Sequence, residues 1–370
     1  MKIETFKMER MQSTWENIVD YNLSESGVHP LALAEFLSPE ELDGLKNIPL
    51  GYTQSNGTEE LRERIRALYP GIGPGGILAT AGSSEANYLL IWSLIERGDE
   101  VLFELPNYMQ MWGLLRGFGA NVKPFRLREE LGWQPDPDEI AKLVTPKTKL
   151  IVLTNPNNPT GAVLSARSMA EIVAQADKVG AWILADEVYQ GAELSGVRTP
   201  SFFGRYDKVL AVNGLSKAYG LPGLRVGWIA GPDDVIARTW PYHDYTTISM
   251  SALSDRLAAI ALSPGTRERM LARTQGILNT NFPVLDRWLK AQDGLFAYRP
   301  PQAGAICYAR YDLRINSTEL VEKIIREKSV LLVPGDHFEM DGCLRFGYGP
   351  EEPYLLAALG RVAETLKSLR

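Results

Sequence analysis

Short apolar strands alternate with helical segments between residues 100 and 212, and this alternation constrains the fold more than any other feature. The predicted strands span residues 101–104, 121–125, 150–153, 182–185 and 209–212, and helices are predicted over 106–117, 136–144 and 165–179. Such alternation indicates βαβ units, whose strands form a mostly parallel sheet covered on both faces by helices. We therefore predict an α/β fold whose ligands bind beyond the carboxyl ends of the strands.

Length, charge and cysteine usage exclude several classes of protein. The 370 residues predict two domains. A net charge of -6 without a long run of like charge argues against a nucleic-acid or acidic-membrane partner. Residues 1–7 lack the apolar core of a signal peptide, and no apolar run approaches the ~18–20 residues of a membrane span. Cys307 and Cys343 have no metal-ligand spacing and form no disulfide framework, so we expect a cytoplasmic protein without a bound metal.

Two charged side chains follow predicted strands. Lys217 comes after the strand 209–212 and sits among small and apolar neighbours. It is either a surface lysine or a partly desolvated amine, which could form a Schiff base with an aldehyde cofactor. Asp186 ends the apolar strand 182–185 and needs a partner. That partner is either a structural cation or the protonated ring nitrogen of a cofactor.

Two loops are also candidate binding elements. Gly82-Ser83-Ser84 opens a predicted helix, where small hydroxyl residues either cap the helix or bind an anion at its positive end. Residues 155–161 read Asn-Pro-Asn-Asn-Pro-Thr-Gly, which suffices for a tight loop without any function.

Together these segments resemble the class I/II aminotransferases, which are fold-type I pyridoxal 5'-phosphate (PLP) enzymes. The resemblance rests on Ser216-Lys217 followed by Gly-Leu-Arg-Val-Gly at 223–227, on Asn-Pro-x-Asn-Pro-Thr-Gly at 155–161, on Asp-x-x-Tyr at 186–189, and on Tyr-x-x-x-x-Gly-x-x-x-Leu-Arg at 52–62. It implies a mostly parallel sheet between helices and a smaller, discontinuous α+β domain. It divides the chain into an N-terminal segment and part of the small domain (1–45), a large PLP-binding domain (46–264) and a C-terminal small domain (265–370).

The resemblance implies a role for each motif residue. Lys217, Asp186 and Tyr189 are the implied catalytic residues, with Lys217 carrying PLP as a Schiff base and Asp186 facing the pyridine nitrogen. Asn158 and Tyr189 are implied to bind the phenolic oxygen. The implied phosphate ligands are Gly82, Ser83, Ser84, Ser216 and Arg225, with Tyr52 reaching across a homodimer to the partner's phosphate. Tyr108 is the aromatic residue expected to stack on the pyridine ring, and Trp112 is the second candidate for this contact.

The substrate is implied to be an amino acid and a keto acid. Arg345, in a predicted strand over 344–347, is implied to bind the α-carboxylate, because a planar guanidinium suits a carboxylate. Arg310 and Arg326 are weaker rivals. Gly27 lies in the loop 24–30, which is either a surface connection or a backbone segment near the substrate carboxylate. Asn158 is also assigned to the substrate.

One departure and one alternative accompany this assignment. Many relatives have Ser or Thr three residues before the lysine, where this chain has Gly214, so Ser216 is expected to supply that hydroxyl.

The principal hypothesis is transamination through pyridoxamine phosphate. The loops at 24–29 and 82–86 are also similar to those of PLP enzymes of the capreomycidine synthase type, which eliminate and cyclise an arginine-like amino acid. That alternative predicts an acidic group near the substrate side chain, with Glu25 as the candidate.

Overall fold

The computed structural model describes residues 2–369. The strands of this range are β1 (Tyr21–Asn22), β2 (Ile77–Thr80), β3 (Glu100–Leu105), β4 (Asn121–Arg128), β5 (Gln134–Pro135), β6 (Thr148–Thr154), β7 (Trp182–Asp186), β8 (Val209–Gly214), β9 (Gly227–Ala230), β10 (Phe296–Tyr298), β11 (Ile306–Tyr311), β12 (Val330–Leu331), β13 (Val333–Pro334) and β14 (Cys343–Gly347). The α-helices are α1 (Lys7–Trp15), α2 (Leu33–Phe36), α3 (Pro39–Gly44), α4 (Glu59–Arg66), α5 (Ser83–Leu94), α6 (Gln110–Phe118), α7 (Pro137–Leu143), α8 (Ala166–Val179), α9 (Asp233–His243), α10 (Ala252–Ala261), α11 (Pro264–Lys290), α12 (Ser317–Lys328) and α13 (Glu352–Lys367). None of these helices combines the length and apolar character needed to cross a membrane.

A large sheet with the order β2-β9-β8-β7-β6-β3-β4-β5 organises the first two thirds of the described chain. Strands β8, β7, β6, β3 and β4 pair in parallel, whereas β9 and β5 run in the opposite direction. The predicted mostly parallel α/β sheet is confirmed.

Helices cover both faces of this sheet. Leu102 and Ile151 pack with Ile172 of α8 on one face, whereas Phe103 and Val152 pack with α5, α6 and α9 on the other. Because successive strand residues point to opposite faces, a strand buried on both sides reads as a continuous apolar run. This explains why the central strands lack polar alternation.

A smaller antiparallel sheet, in the order β10-β11-β14-β13, lies in the C-terminal third. The N-terminal segment joins this region, because Tyr21 and Asn22 of β1 pair with Val330 and Leu331 of β12. The strand expected over 330–333 is divided into β12 and β13, because β12 pairs with β1 and β13 pairs with β14. The domain boundaries after residues 45 and 264 stay a prediction.

Helix α1 lies outside the helices that the sequence pattern predicts. Its N-cap, Phe6, forms no side-chain cap, so the local start signal is absent. Tertiary contacts stabilise it instead: Met8 and Gln12 are buried, and the Phe6 ring packs edge-on against Tyr108 with centroids 5.0 Å apart.

Helix α6 begins later than the predicted residue 106. Asn107 explains the delay, since its side-chain oxygen accepts hydrogen bonds from the backbone N–H of Tyr108 and the hydroxyl of Thr154, both at 2.6 Å. A side chain that binds nearby backbone in this way competes with helix formation. The loop therefore holds Tyr108 at the end of the sheet.

Candidate active site

A cavity of about 280 Å³ lies at the carboxyl ends of the parallel strands. It brings together most of the residues that the sequence singled out. Those lining it are Ser83, Ser84, Tyr108, Asn158, Asp186, Tyr189, Ser216, Lys217, Arg225 and Arg345. Strand order explains the convergence, since β3, β6, β7 and β8 are neighbours in the sheet and their following loops meet at one edge.

Lys217 follows β8 and is partly buried. The N-terminal segment passes close to it at Gly27, where an added Cβ would lie 3.3 Å from the Ser216 carbonyl oxygen and 3.8 Å from Lys217 Cα. Gly27 therefore permits a close backbone approach. It does not line the cavity itself, and its predicted contact with a substrate carboxylate stays a prediction.

One end of the cavity combines a helix N-terminus with the guanidinium of Arg225, two features that favour an anion. Helix α5 begins at Ser83, and its first N–H groups and its dipole favour negative charge at this end. Gly82 precedes it with φ +89°, and a Cβ there would lie 2.5 Å from Arg225 Nη2. Glycine at this position lets the Arg225 guanidinium lie close to the start of α5.

A steric reason explains why position 214 holds glycine, where many relatives have Ser or Thr. Gly214 is buried in β8, and an added Cβ would lie 2.8 Å from the carbonyl oxygen of Val226 and 3.3 Å from Gly227 Cα. A hydroxyl-bearing side chain would therefore require β8 and β9 to shift apart. Ser216 lines the cavity, and its role as a phosphate ligand stays a prediction.

The buried carboxylate of Asp186 is held by two donors. Asn87 Nδ2 donates to Oδ2 and the backbone N–H of Val188 donates to Oδ1, each at 3.2 Å. Burial raises the pKa of Asp186 to about 6, although both hydrogen bonds and the charge of Lys217 lower it. The sequence pattern did not single out Asn87; the available signal was one amide within the apolar run of α5.

Asn158 and Tyr189 both line the cavity, and their role at a phenolic oxygen stays a prediction. The hydroxyl of Tyr189 is buried and has no hydrogen-bond partner among residues 2–369. Asn158 Oδ1 accepts a hydrogen bond of 2.7 Å from Arg345 Nη1. A buried hydroxyl without a partner, facing a cavity, is satisfied when a ligand supplies an acceptor.

Of the two candidate stacking residues, Tyr108 lines the cavity and Trp112 does not. Its hydroxyl donates a hydrogen bond of 2.9 Å to Glu9 Oε1. Trp112 instead packs edge-on against Phe103, with ring centroids 5.3 Å apart, and Arg116 lies over its ring. Trp112 therefore belongs to the apolar packing around the sheet.

Arg345 is fully buried beside the cavity. Its Nη1 donates to Asn158 Oδ1 at 2.7 Å and its Nη2 donates to the carbonyl oxygen of Ser24 at 2.5 Å, while Nε has no partner among residues 2–369. The rivals lie elsewhere: Arg310 is exposed and paired with Glu129, and Arg326 is exposed on α12. Of the three, Arg345 alone lines the cavity.

Tyr52 lies outside the cavity of its own chain. Its side chain is 87% exposed, next to Ile48, Thr53 and Arg256. Its role toward a partner's phosphate therefore stays a prediction.

Helix α1 contributes cavity residues that the sequence did not reveal. Met8, Glu9, Gln12 and Glu16 line the cavity from this helix and its C-terminal end, and Glu25 lines it from the following segment. The spacing of Glu9, Gln12 and Glu16 places them on one helical face, and this was the available signal. Glu25 is the acidic candidate of the elimination and cyclisation alternative, and its place near a substrate side chain stays a prediction.

Comparison with known proteins identifies the family. The model for aminotransferase class I and II matches residues 36–362. The chain belongs to this family. It is 34% identical over 361 residues to a capreomycidine synthase from Streptomyces vinaceus, across 93% of this chain and 89% of the synthase.

Two solved structures also resemble this aminotransferase-family chain. A PLP-dependent aminotransferase from Streptococcus suis 89-1591 superposes with a TM-score of 0.94 at 34% identity, over 100% of this chain and 99% of that one. The PLP-dependent cyclase OrfR superposes with a TM-score of 0.89 at 26% identity, over 100% and 98% of the two chains.

Family membership implies PLP as the cofactor, and the described residues fit it. The anion end built by Ser83, Ser84 and Arg225 suits a phosphate, and the Asp186 carboxylate suits a protonated ring nitrogen. The unpartnered hydroxyl of Tyr189 suits an acceptor oxygen. Among residues 2–369, no group of three or more His, Cys, Asp and Glu side chains could hold a metal.

Proposed function

We propose that this chain is a PLP-dependent aminotransferase that moves an amino group from an L-amino acid to a 2-keto acid. The observation that carries the proposal is the convergence of Lys217, Asp186 and Arg345 in one cavity. It joins an amine that can move a proton, a carboxylate that can hold a ring charge and a guanidinium that can bind a substrate carboxylate.

Bound PLP supplies an electron sink for the charge left when the Cα proton of an amino acid is removed. In this proposal Asp186 keeps its carboxylate against the ring nitrogen, and Asn87 and the Val188 N–H hold that carboxylate in place. Arg345 orients the substrate by its α-carboxylate. The Lys217 amine accepts the Cα proton. In transamination Lys217 would then deliver a proton to C4′ of the cofactor instead of returning it to Cα, and water would release the keto acid.

The test is turnover by the PLP-loaded protein with a panel of L-amino acids and a keto acid, with products identified by mass. We expect a matching keto acid from at least one amino acid, and we expect Lys217→Ala to abolish its formation while retaining some PLP. Normal turnover by Lys217→Ala would exclude the proposed role of this lysine.

A second candidate is elimination and cyclisation of an amino acid. It is favoured by the similarity to a capreomycidine synthase and to a PLP-dependent cyclase, and by the carboxylates of Glu9, Glu16 and Glu25 in the cavity. In this case Lys217 removes the Cα proton, and the substrate then loses a leaving group. A cyclised or eliminated product without a keto acid would support this candidate over transamination.

We also propose a homodimer in the cytoplasm. The exposed side chain of Tyr52 supports the dimer, since it is free to reach a second subunit. The cytoplasmic location is supported by two cysteines that form no disulfide in the described chain.

A further inference from the structure

Helix α1 reaches the cavity through residues that lie close together on its surface. Met8, Glu9 and Gln12 line the cavity, and their spacing of three and four residues places Gln12 beside the other two. None of the three belongs to a motif that the sequence analysis used. Their contacts connect α1 to two candidate site residues, Arg345 and Tyr108.

Gln12 is joined to Arg345 through one carbonyl oxygen. Gln12 is buried, and its Nε2 donates to the carbonyl oxygen of Ser24 at 3.1 Å and to Ser24 Oγ at 3.0 Å. The same carbonyl oxygen accepts a hydrogen bond of 2.5 Å from Arg345 Nη2. The Ser24 hydroxyl donates its hydrogen to Asn22 Oδ1 at 2.7 Å, which leaves Ser24 Oγ as an acceptor for Gln12. Gln12 therefore holds Ser24 where its carbonyl oxygen meets the guanidinium.

The orientation of the Arg345 guanidinium depends on few contacts. Nη1 and Nη2 donate to neutral oxygen atoms, those of Asn158 and Ser24, and Nε has no partner among residues 2–369. Met8 Sδ, a weak acceptor, lies 3.8 Å from Nη1. Two-pronged binding of a carboxylate requires a correctly oriented guanidinium plane. Loss of the link to Gln12 should therefore misorient this plane while its charge stays in place.

Helix α1 also holds the Tyr108 side chain, at its hydroxyl and at its ring. The hydroxyl donates a hydrogen bond of 2.9 Å to Glu9 Oε1, and the Phe6 ring packs edge-on with centroids 5.0 Å apart. Burial, followed by the negative charge of Glu9, raises the pKa of Tyr108, so the hydroxyl keeps the proton that it donates. The hydrogen bond to Glu9 therefore limits the directions in which the Tyr108 ring can point.

We propose that Gln12 and Glu9 are positioning residues of the active site. Gln12 orients the Arg345 guanidinium through the Ser24 carbonyl oxygen, and Glu9 orients the Tyr108 ring through its hydroxyl. This assignment rests on the proposed function, in which Arg345 takes the substrate α-carboxylate, and on the expected stacking of Tyr108 on the PLP ring. The two links are separate, so their loss should affect different measurements.

Gln12→Met tests the link to Arg345, because methionine has a similar length but no donor. The PLP-loaded protein is titrated with the panel of L-amino acids and followed by visible absorbance. We expect the dissociation constant to rise about fivefold for each amino acid that binds, since the α-carboxylate is common to all of them, and the affinity for PLP to stay unchanged. Gln292→Met is the matched control: Gln292 is also buried and donates from Nε2 to a backbone carbonyl oxygen, that of Trp288, outside the cavity.

Glu9→Met and Glu9→Gln test the link to Tyr108. A glutamine oxygen can still accept the hydrogen of the Tyr108 hydroxyl, whereas methionine offers only a weak sulfur acceptor. We expect Glu9→Met to weaken PLP binding about fivefold and to shift the visible absorbance maximum of the bound cofactor, and Glu9→Gln to stay within about twofold of the unmodified protein. In a Tyr108→Phe background, which lacks the hydroxyl, Glu9→Met should have no further effect.

The results that would overturn each assignment are distinct. Unchanged amino-acid binding in Gln12→Met, or an equal loss of amino-acid and PLP affinity, would show that Gln12 does not act through Arg345. An equal effect of Glu9→Met with and without the Tyr108 hydroxyl would show the same for Glu9. Binding constants that follow the expected pattern, with products other than a keto acid, would support both positioning residues and overturn transamination alone.

Discussion

The side-chain amide of Asn87 donates a hydrogen bond of 3.2 Å to the carboxylate of Asp186. Asn87 lies one turn into α5, the helix whose first residues are Ser83 and Ser84. One rigid helix therefore serves both ends of the proposed cofactor position, the phosphate end and the ring-nitrogen end. The distance between these two ends is set by helix geometry.

We predict that Asn87→Ala weakens PLP binding by roughly tenfold, because the Asp186 carboxylate loses one of its two donors. Loss of that donor also raises the pKa of Asp186 further above its ordinary value. The dissociation constant of PLP, measured by absorbance titration, checks this. Asn279→Ala is the control, since Asn279 donates to the Leu194 carbonyl oxygen outside the cavity; equal effects of the two variants would contradict the prediction.

Gly82→Ala should weaken PLP binding by about tenfold or more, because the new Cβ would displace the Arg225 guanidinium. Gly98→Ala is a matched control, since Gly98 has φ +90° but nothing within 4 Å of an added Cβ. Both variants carry a similar backbone strain of ~1 kcal/mol. The thermal unfolding temperature should therefore fall by a similar amount in both variants, whereas only Gly82→Ala should lose PLP affinity.

Arg345→Lys should raise the KM for the amino acid at least about tenfold, since lysine keeps the charge but loses the two-pronged contact with a carboxylate. PLP affinity should remain near that of the unmodified protein. Steady-state kinetics with Arg310→Lys as the control checks this, because Arg310 is exposed and pairs with Glu129. A KM that is unchanged in Arg345→Lys would remove Arg345 from the substrate site.

Glu104 predicts a pH dependence of stability. Burial raises its pKa from 4.5 to about 8, although donation from the Thr154 N–H and from an asparagine side chain lowers it. The folded state thus disfavours the ionised form, so the free energy of unfolding falls as pH rises from about 4.5 to about 8.

Glu104→Gln lacks this ionisation and should be more stable than the unmodified protein at pH 9, by up to ~5 kcal/mol as an upper bound. The difference should shrink towards pH 5. Denaturant unfolding of the PLP-free protein across this range measures it. A difference that does not vary with pH would mean that Glu104 does not titrate as inferred.

Tyr52→Phe tests the proposed homodimer. If Tyr52 acts on the partner's phosphate, Tyr52→Phe should raise the PLP concentration needed for half-maximal activity. After subunit exchange with inactive Lys217→Ala, the site with an intact Lys217 receives an intact Tyr52 from the other subunit. Activity at limiting PLP should then recover, whereas a tyrosine acting within its own chain gives no recovery.

Much of the candidate site was accessible from the amino-acid pattern, because its residues follow strands in short motifs. Lys217, Asp186 and Asn158 each come within a few residues of a strand end, and parallel strands deliver such positions to one edge of a sheet. The order of strands and helices predicted the fold for the same reason: apolar periodicity is a local property.

Contacts between distant segments were not accessible in this way. Asn87 is 99 residues from Asp186 and Arg345 is 187 residues from Asn158. Nothing in the spacing of such pairs records which side chains will meet.

Contacts between distant segments also explain why helix α1 forms. Its first residue is preceded by no side-chain cap, and its position depends on burial of Met8 and Gln12 and on the contacts of Tyr108 with Phe6 and Glu9. The amino-acid order alone thus specified the strands, the motif loops and the charges available to them. Helix α1 forms because long-range burial, rather than local propensity, stabilises it. Tertiary packing therefore brought Glu9 and Glu16 to the same cavity as Lys217.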